Sequence, residues 1–252
     1  MKWRWFRAVF TIGLILALIG GSYLLKEDNI QASNEINELP IFKVEREDKV
    51  MSLTFDINWA ETDYINSILD TLDKYNVKAT FFIMGAWVNY SDENLNKLKL
   101  IDERGHEIGN HSYLHPSFTK IGESKIREEL KKTDEIIENT IGKKPKLFRF
   151  PSGDYNDLSC RIVKEAGYIP IQWDADSVDW KEQGEEVEYS RVKKKIKPGS
   201  IVLFHNNAKY TPRNLEKLLK EFSEEGYKFM PVGELIYTEN AYIDKNGIQI
   251  RK

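Results

Sequence analysis

The sequence is poor in cysteine and has no strong excess of charge of either sign, and each shortage excludes a class of protein. Its single cysteine, Cys160, excludes an internal disulfide, a zinc ribbon and a cysteine-rich zinc knuckle. The 37 basic and 40 acidic side chains leave a net charge of −3, which gives no overall basic field to hold nucleic-acid phosphates. We therefore predict no nucleic-acid partner, and any metal must be held by histidine, carboxylate or carbonyl groups.

The composition is that of a globular protein. Hydrophobic residues make up 41% and charged residues 31% of the 252 positions. This is enough for one domain of about 200 residues and a short additional segment. The polar stretch at residues 26–48 predicts a tether. We expect the folded domain over residues 49–238 and a C-terminal tail over residues 239–252.

Residues 1–25 differ from the rest of the chain. Three basic residues lie among aromatic ones in residues 1–7, and the next 18 residues carry no charge. At about 1.5 Å per residue, a helix of this length spans about 27 Å, close to the bilayer core, whereas cleavable signals have apolar runs of about 7 to 15 residues. We predict one transmembrane helix that anchors the protein in the cell membrane, with the folded domain outside the cytoplasm. The alternative is a signal cleaved near Gly20-Gly21-Ser22, which would give a secreted protein.

Short apolar runs rich in β-branched and aromatic residues alternate with amphipathic segments from residue 49 onward. Residues 50–55 predict the first strand, and Ile65, Ile68, Leu69 and Leu72 then recur at helical spacing. Further strands are predicted at 78–84, 107–110, 147–150, 168–173, 201–204 and 227–230, and further helices at 95–101, 126–141 and 215–225. These repeats indicate an α/β fold, a distorted (β/α) barrel of about seven strands.

Polar side chains recur where the predicted strands end, which is where (β/α) barrels carry their chemistry. Each has an ordinary explanation by itself, because an acid there often caps a helix, an arginine pairs with an acid, and a histidine belongs to the core. Their recurrence at several strand ends favours one functional site. The segments are Asp56-Ile57-Asn58, residues 111–115, Arg149, residues 176–180 and His205.

The strongest local signal is a pair of histidines, His111 and His115. Side chains four residues apart on one helical or tight-loop turn point the same way, so both can reach one divalent cation at about 2.0 to 2.1 Å. No glutamate follows the first histidine, which excludes the HExxH arrangement of zinc proteases. The alternative is that both are surface histidines in a loop.

In this order, the segments resemble the five motifs of the polysaccharide deacetylases of NodB type, carbohydrate esterase family 4, over residues 49–236. The resemblance implies that Asp56 in the segment TFD is the general base. It also implies that His111 and His115 bind the divalent metal, and that Arg149 holds the base in position.

The same resemblance assigns the remaining groups of the site. His205 is the general acid, and Asp179 orients it. The N–H of Ser152 supports the oxyanion that forms when the substrate carbonyl is attacked. Trp180 and Leu203 wall a small acetyl pocket, unless both are ordinary barrel packing.

One position departs from the family pattern. In most of the family a second aspartate follows the base and is the third metal ligand, but Ile57 stands there in this chain. We therefore expect His111 and His115 to bind a metal more weakly, with Asp56 or Asn58 as candidate ligands. Asn58 can replace the missing aspartate only where the strand has bent into the loop. The resemblance implies zinc, cobalt or manganese.

The chemistry implied by the resemblance is metal-assisted, general acid and base hydrolysis of N-acetyl groups on a cell-wall polysaccharide. The form TFDI-x-W at residues 54–59, together with the apolar N-terminus, is similar to the sporulation-type branch, which implies peptidoglycan as the glycan substrate. One alternative is a glycan-binding protein of the same fold with little or no deacetylase activity. Another is an amidase or esterase that acts on a different acylated molecule. We expect a monomer that contacts the membrane through residues 1–25.

Overall fold

The computed structural model describes residues 39–252. The predicted membrane segment, residues 1–25, and the first part of the predicted tether lie outside the described residues. Among residues 39–252, no helix is both long and apolar enough to span a bilayer.

Strands and helices alternate along most of the described chain. The strands are β1 (Lys43–Val44), β2 (Val50–Ile57), β3 (Thr80–Ile83), β4 (Glu107–Asn110), β5 (Leu147–Phe148), β6 (Ile169–Pro170), β7 (Ala175–Asp176), β8 (Ser200–His205), β9 (Lys228–Phe229), β10 (Ala241–Ile243) and β11 (Ile248–Arg251). The helices are α1 (Ile65–Lys74), α2 (Gly85–Val88), α3 (Asp92–Glu103), α4 (Glu123–Ile141), α5 (Asp157–Glu165), α6 (Glu185–Lys195), α7 (Thr211–Glu224) and α8 (Val232–Leu235). Two short 3-10 turns lie at Pro151–Gly153 and Asp179–Lys181.

The eleven described strands form one curled sheet. Six of them are neighbours in the order β8-β2-β3-β4-β5-β6, and each pair in this run is parallel. The short strands β7 and β9 are parallel partners of β8 and β2. The predicted α/β class with a curled, barrel-like sheet is therefore confirmed. The sheet is a curled half-barrel, in which β5, β6 and β7 have only two residues each.

A short bridge connects the two sides of the half-barrel. The Ile41 N–H donates to the carbonyl oxygen of Pro170 at 2.9 Å, and the Ile41 carbonyl oxygen accepts from the Gln172 N–H at 2.7 Å. Directly after this bridge, β1 pairs antiparallel with β8. Ile41 and Val44 are buried. These two residues belong to the stretch at 26–48 that the sequence pattern assigns to a tether, so part of that stretch contributes to the core.

The side chains of β2 alternate between the two faces of the sheet, as expected for a strand. The odd-numbered ones, from Met51 to Ile57, are buried in one hydrophobic cluster together with the apolar face of α1. The even-numbered ones, Ser52, Thr54 and Asp56, are polar and buried. One face of β2 therefore packs against the helices, and the other face carries the polar groups of the site.

The helices largely follow the hydrophobic pattern. Ile65, Ile68, Leu69 and Leu72, which predict α1, are its buried residues. Helix α4 ends at Gly142, where φ is +71°, a left-handed conformation that glycine adopts without strain.

Several features were not predicted from the sequence, among them helix α5 and strand β7. Strand β1 has only two residues, and the tail at 239–252 contains the antiparallel hairpin of β10 and β11. Helix α6 carries few apolar residues among many charges, so its pattern is weak. The apolar residues of α6 are Val187, Tyr189 and Val192.

Candidate active site

Asp56 and His205 lie side by side at the carboxyl ends of two neighbouring parallel strands. Strands β2 and β8 pair in a register that makes the Cα atoms of these two residues partners. Both residues line one cavity of about 370 Å³. Barrel-like α/β folds carry their chemistry at this end of the sheet.

Arg149 is fully buried beside Asp56. Its Nη1 donates to Asp56 Oδ1 at 2.9 Å and to Thr54 Oγ1 at 2.7 Å, and its Nη2 donates to the carbonyl oxygen of Gln172 at 3.0 Å. The guanidinium carbon lies 4.1 Å from the centre of the Phe82 ring. This set of contacts holds both the guanidinium and the carboxylate in one orientation.

Asp56 is ionised although it is buried. Burial raises the pKa of this carboxyl, but the charge of Arg149 and a smaller contribution from His205 outweigh burial and lower the pKa below its ordinary value. An ionised carboxylate that opens on a cavity is suited to accept a proton from a bound molecule.

His205 is held by Asp179. The Nδ1 of His205 lies 2.7 Å from Asp179 Oδ1, and the backbone N–H of His205 donates to Oδ2 at 2.9 Å. The Thr211 hydroxyl also donates to Oδ2, at 2.6 Å. Burial lowers the pKa of His205, but the hydrogen bond and charge of Asp179, together with the charge of Asp56, outweigh burial and raise it. The imidazolium form is therefore favoured, which suits a proton donor.

His111 and His115 form a neutral imidazole pair with ring centres 4.9 Å apart. The Nδ1 of His111 donates to the carbonyl oxygen of Arg149 at 2.9 Å, so its lone pair is on Nε2. That Nε2 is buried without a hydrogen-bond partner among residues 39–252, and it lies 3.5 Å from Asp56 Oδ2. Burial lowers the pKa of His111 to about 4 and also lowers the pKa of His115. Neutral imidazole with a fixed tautomer is the form that binds a metal.

The third ligand of the family pattern is missing. Ile57 is fully buried in the hydrophobic cluster of β2 and α1. Asn58 lines the cavity, and its Oδ1 is buried without a partner in the described part of the chain. No group of three or more His, Cys, Asp or Glu side chains within residues 39–252 is arranged to hold a metal ion. The imidazole pair fits a divalent cation by its chemistry, but the complete three-ligand site is not formed.

The structure brings the predicted site residues together. Those that line the cavity are Asp56, Asn58, His115, Ser152, Trp180, Leu203 and His205. Arg149, His111 and Asp179 are buried and contact the residues that line it.

Four residues at the site have no role assigned from the sequence. Trp173, Asp176 and Asn207 also line the cavity. Asp176 and Asn207 lie within or next to the motif segments, so their positions in the sequence indicate that they are near the site. Thr211 contacts Asp179 from the start of α7, and no motif connects these two distant positions.

Several turns around the cavity have strained backbones. Ser112, His115, Ser152 and Val178 have positive φ angles of 65°, 59°, 55° and 52°. A left-handed conformation is unfavourable for side chains other than glycine, and especially for β-branched valine. Such strain is frequent in binding and catalytic loops, where surrounding contacts maintain it. In this protein, three of these four residues lie in the turn that carries His115 and in the turn directly before Asp179.

The fold and this set of side chains define a member of the polysaccharide deacetylase family. The family profile described as Polysaccharide deacetylase matches residues 43–171, and the chain belongs to this family. It is 34% identical to a peptidoglycan-N-acetylglucosamine deacetylase of Bacillus cereus, over 77% of this chain and 92% of the relative. It is 37% identical to the uncharacterised protein YlxY of Bacillus subtilis, over 78% of this chain. The matched part spans about 60% of the length of that second relative.

The solved structures that are similar include a CE4 family pseudoenzyme from Bacillus anthracis. It aligns with a TM-score of 0.74 and 36% identity, over 79% of this chain and 69% of that chain. A mutant pseudoenzyme with restored enzymatic activity aligns with the same TM-score and 37% identity, over 79% of this chain and 71% of that chain. The similar proteins thus include both a deacetylase and a pseudoenzyme.

Proposed function

We propose that this protein hydrolyses N-acetyl groups of peptidoglycan amino sugars. The observation that carries the proposal is the pair Asp56 and His205, placed side by side on one cavity, each held by its own buried partner. The pKa of the first is lowered and that of the second is raised. Their opposite shifts supply a base and an acid at the same pH.

The side chains then have distinct roles. Asp56 accepts a proton from the attacking water, and Arg149 keeps its carboxylate ionised and oriented. His205, held by Asp179, donates a proton to the departing amine. The N–H of Ser152 stabilises the negative charge that develops on the carbonyl oxygen.

A divalent cation, zinc, cobalt or manganese, is part of this proposal. His111 and His115 would hold it, and Asp56 and Asn58 are the further candidate ligands. When bound, such an ion polarises a carbonyl group and lowers the pKa of water. Because Ile57 contributes no ligand, we propose weak binding that depends on metal concentration.

We further propose that the protein acts on spore peptidoglycan as a single-pass membrane protein with its domain outside the cytoplasm. The support is the apolar run at residues 8–25, together with the similarity to peptidoglycan deacetylases. N-terminal sequencing of the native protein tests the anchor. A soluble product that begins near Ser22 would show cleavage and secretion instead.

The test of the activity is acetate release from N-acetylated peptidoglycan by the full chain, with each of the three metals added in turn. We expect release by the wild type and a loss of at least about a hundredfold in Asp56→Asn and in His205→Ala, as is typical when a general base or acid is removed. Tyr242→Phe, on the exposed hairpin far along the chain, is the matched control and should keep full activity. Equal rates in the wild type and both site variants would refute the proposal.

A second candidate function is glycan binding with little or no turnover. The observation in its favour is Ile57, which is buried in the hydrophobic cluster where the family pattern has a metal ligand. Binding of peptidoglycan fragments without acetate release under any of the three metals would favour this second function.

A further inference from the structure

Glu188, in the first turn of helix α6, is a buried acid to which no step of the proposed reaction gives a role. It is 1% exposed and shares the buried face of α6 with Tyr189 and Val192. It does not line the cavity, but its carboxyl is near enough to Asp179 for the charge of that residue to act on it. Burying an ionisable side chain is unfavourable, so its position indicates a specific role.

Two helices hold the turn that carries Asp179. From α7, the Thr211 hydroxyl donates to Asp179 Oδ2 at 2.6 Å. From α6, Arg191 Nη1 donates to the carbonyl oxygen of Ser177 at 2.7 Å, and the Ser177 hydroxyl accepts from the Asp179 N–H at 3.3 Å. The orientation of Asp179, and with it that of His205, therefore depends on how α6 and α7 pack against each other.

Glu188 contacts α7 close to Thr211. Asn214 is three residues after Thr211 and thus on the same side of the helix, and it is buried. Its Nδ2 lies 3.5 Å from Glu188 Oε2, which is long for a hydrogen bond. Glu188 Oε1 and Asn214 Oδ1 are both buried without a partner among the residues that the structure describes. Both of these oxygens are acceptors, and a proton on Glu188 supplies the donor that they lack.

The charges around Glu188 also favour its protonated form. Burial and then the negative charge of Asp179 raise the pKa of Glu188 from its ordinary value of 4.5 to about 7. The N–H groups of Gln183 and Gly184 and the charge of Arg191 lower this pKa by smaller amounts. The other charged side chains on the packed elements have other neighbours: Arg213 pairs with Glu185, Lys217 with Glu186 and Lys193 with Glu221, Lys181 lies over the Trp180 ring, and Asp176 lines the cavity.

We infer that Glu188 is a positioning residue for the general acid His205, and that it acts as a neutral carboxylic acid by fixing the first turn of α7 against α6. Fixed in this way, the turn keeps Thr211 on Asp179, and Asp179 keeps the imidazole of His205 in place. A neutral group adds no second negative charge beside Asp179, which would disfavour the ionised form of that residue. The inference rests on the proposed deacetylase function and adds a residue that supports its general acid from outside the cavity.

Two substitutions in the full chain test this role. Glu188→Gln keeps a neutral group with a donor and an acceptor, whereas Glu188→Met keeps the length and removes both. The readouts are kcat and KM for acetate release from N-acetylglucosamine oligomers, and the ¹H NMR signal of the His205 Nδ1 proton, which is sharp while its hydrogen bond protects it from exchange. Val187→Ala, at an exposed neighbour on α6, is the matched control and should change neither readout.

The two variants should behave differently. We expect Glu188→Gln to keep kcat within about twofold and to keep the His205 signal. Glu188→Met should lower kcat about tenfold, the typical effect of one lost hydrogen bond, and should broaden the His205 signal. The KM of both variants should equal that of the wild type, because Glu188 does not line the cavity.

Urea unfolding at pH 5 and pH 8 tests the protonation of Glu188. A carboxyl whose pKa is raised in the folded state makes the protein lose stability as pH rises from the unfolded pKa of about 4.5 to the folded pKa of about 7. Glutamine does not ionise, so Glu188→Gln is free of this loss. The urea midpoint of the wild type should therefore fall relative to that of Glu188→Gln between pH 5 and pH 8.

Three results would overturn the inference. The first is a loss of kcat in Glu188→Gln as large as that in Glu188→Met, because an ionised carboxylate would then be required. The second is full turnover with an unchanged His205 signal in Glu188→Met, and the third is an equal change of the urea midpoint with pH in the wild type and Glu188→Gln. Absence of acetate release by the wild type would refute the proposed function instead, and the His205 signal and the urea midpoints would still decide the role of Glu188.

Discussion

Replacement of Arg149 by methionine is the most direct test of how the site is held together. Methionine has a similar length and no charge, so it removes the positive charge and the hydrogen bonds while it fills most of the space. The partner carboxylate, Asp56, is 3% exposed and would keep its negative charge without the bond at 2.9 Å. A buried charge without its partner is strongly unfavourable.

The expected loss of stability follows from these contacts. Breaking a buried ion pair by removing one partner destabilises by about 3 to 5 kcal/mol. The hydroxyl of Thr54 and the carbonyl oxygen of Gln172 also lose their donors, which adds to the loss. We expect Arg149→Met to lower the free energy of unfolding by about 4 kcal/mol. In Asp56→Asn combined with Arg149→Met, neither charge of this pair is left, so the loss should be smaller by at least about 2 kcal/mol than the sum of the two single variants.

The pH dependence of the free energy of unfolding provides a second, independent test of this ion pair. In the wild type the pKa of Asp56 is lowered, so its contribution to stability is present above the pKa of the unfolded state and is lost as pH falls through the folded pKa. In Arg149→Met, burial dominates and raises this pKa, so stability is lost as pH rises. The penalty of Arg149→Met relative to the wild type should therefore be larger at pH 8 than at pH 5.

Urea unfolding of the wild type, the two single variants and the double variant at both pH values measures these quantities. With a urea m-value of about 3 kcal/mol/M, the midpoint of Arg149→Met should fall by about 1 M or more at pH 8. Strict additivity of the two substitutions, or an equal penalty at pH 5 and pH 8, would refute the view that Asp56 and Arg149 form a coupled buried pair.

Three further predictions concern other contacts. Ile57→Asp should be destabilised without metal, because it buries an unpaired carboxylate, and added zinc should raise its melting temperature more than that of the wild type; an absence of this difference would reject position 57 as a ligand position. Burial lowers the pKa of His106 to about 4, so its contribution to stability is present above the unfolded pKa of about 6.5 and is lost as pH falls towards 4. His106→Asn keeps an acceptor for the Ala79 N–H and should therefore lose less stability than the wild type between pH 7 and pH 4.5 in urea titrations; equal losses would contradict this. Thr211→Val removes a donor to Asp179 and should destabilise by about 1 to 3 kcal/mol in the same titrations, whereas no change would mean that the hydroxyl is not needed there.

The extent to which the sequence predicted the fold depended on the length and periodicity of each element. Helix α1 and strand β2 have clear apolar periods, and both lie where the pattern places them. Strand β1 could not be predicted, because two residues carry no period, and its pairing joins positions far apart in the chain. Helix α6 is mostly charged and is buried through a few side chains only, so periodicity gave too weak a signal.

The candidate site was predictable where motifs are local and ordered along the chain. His111 and His115 are a local pair, and the structure brings their rings together. The contact of Thr211 with Asp179 is different, because it depends on how the start of α7 packs against a distant turn. The place of Ile57 in the hydrophobic cluster likewise depends on which face of the strand it occupies at the strand end.

The hydrogen bonds of Ile41 determine where a truncated form of the protein can begin. A fragment that starts at residue 49, where the apolar pattern first becomes regular, would lack both this bridge and β1. The carbonyl oxygen of Pro170 and the N–H of Gln172 would then lose their partners, and one edge of β8 would be uncovered. Exposed strand edges of this kind promote association between copies. An expression fragment that is to remain monodisperse therefore has to start upstream of Ile41.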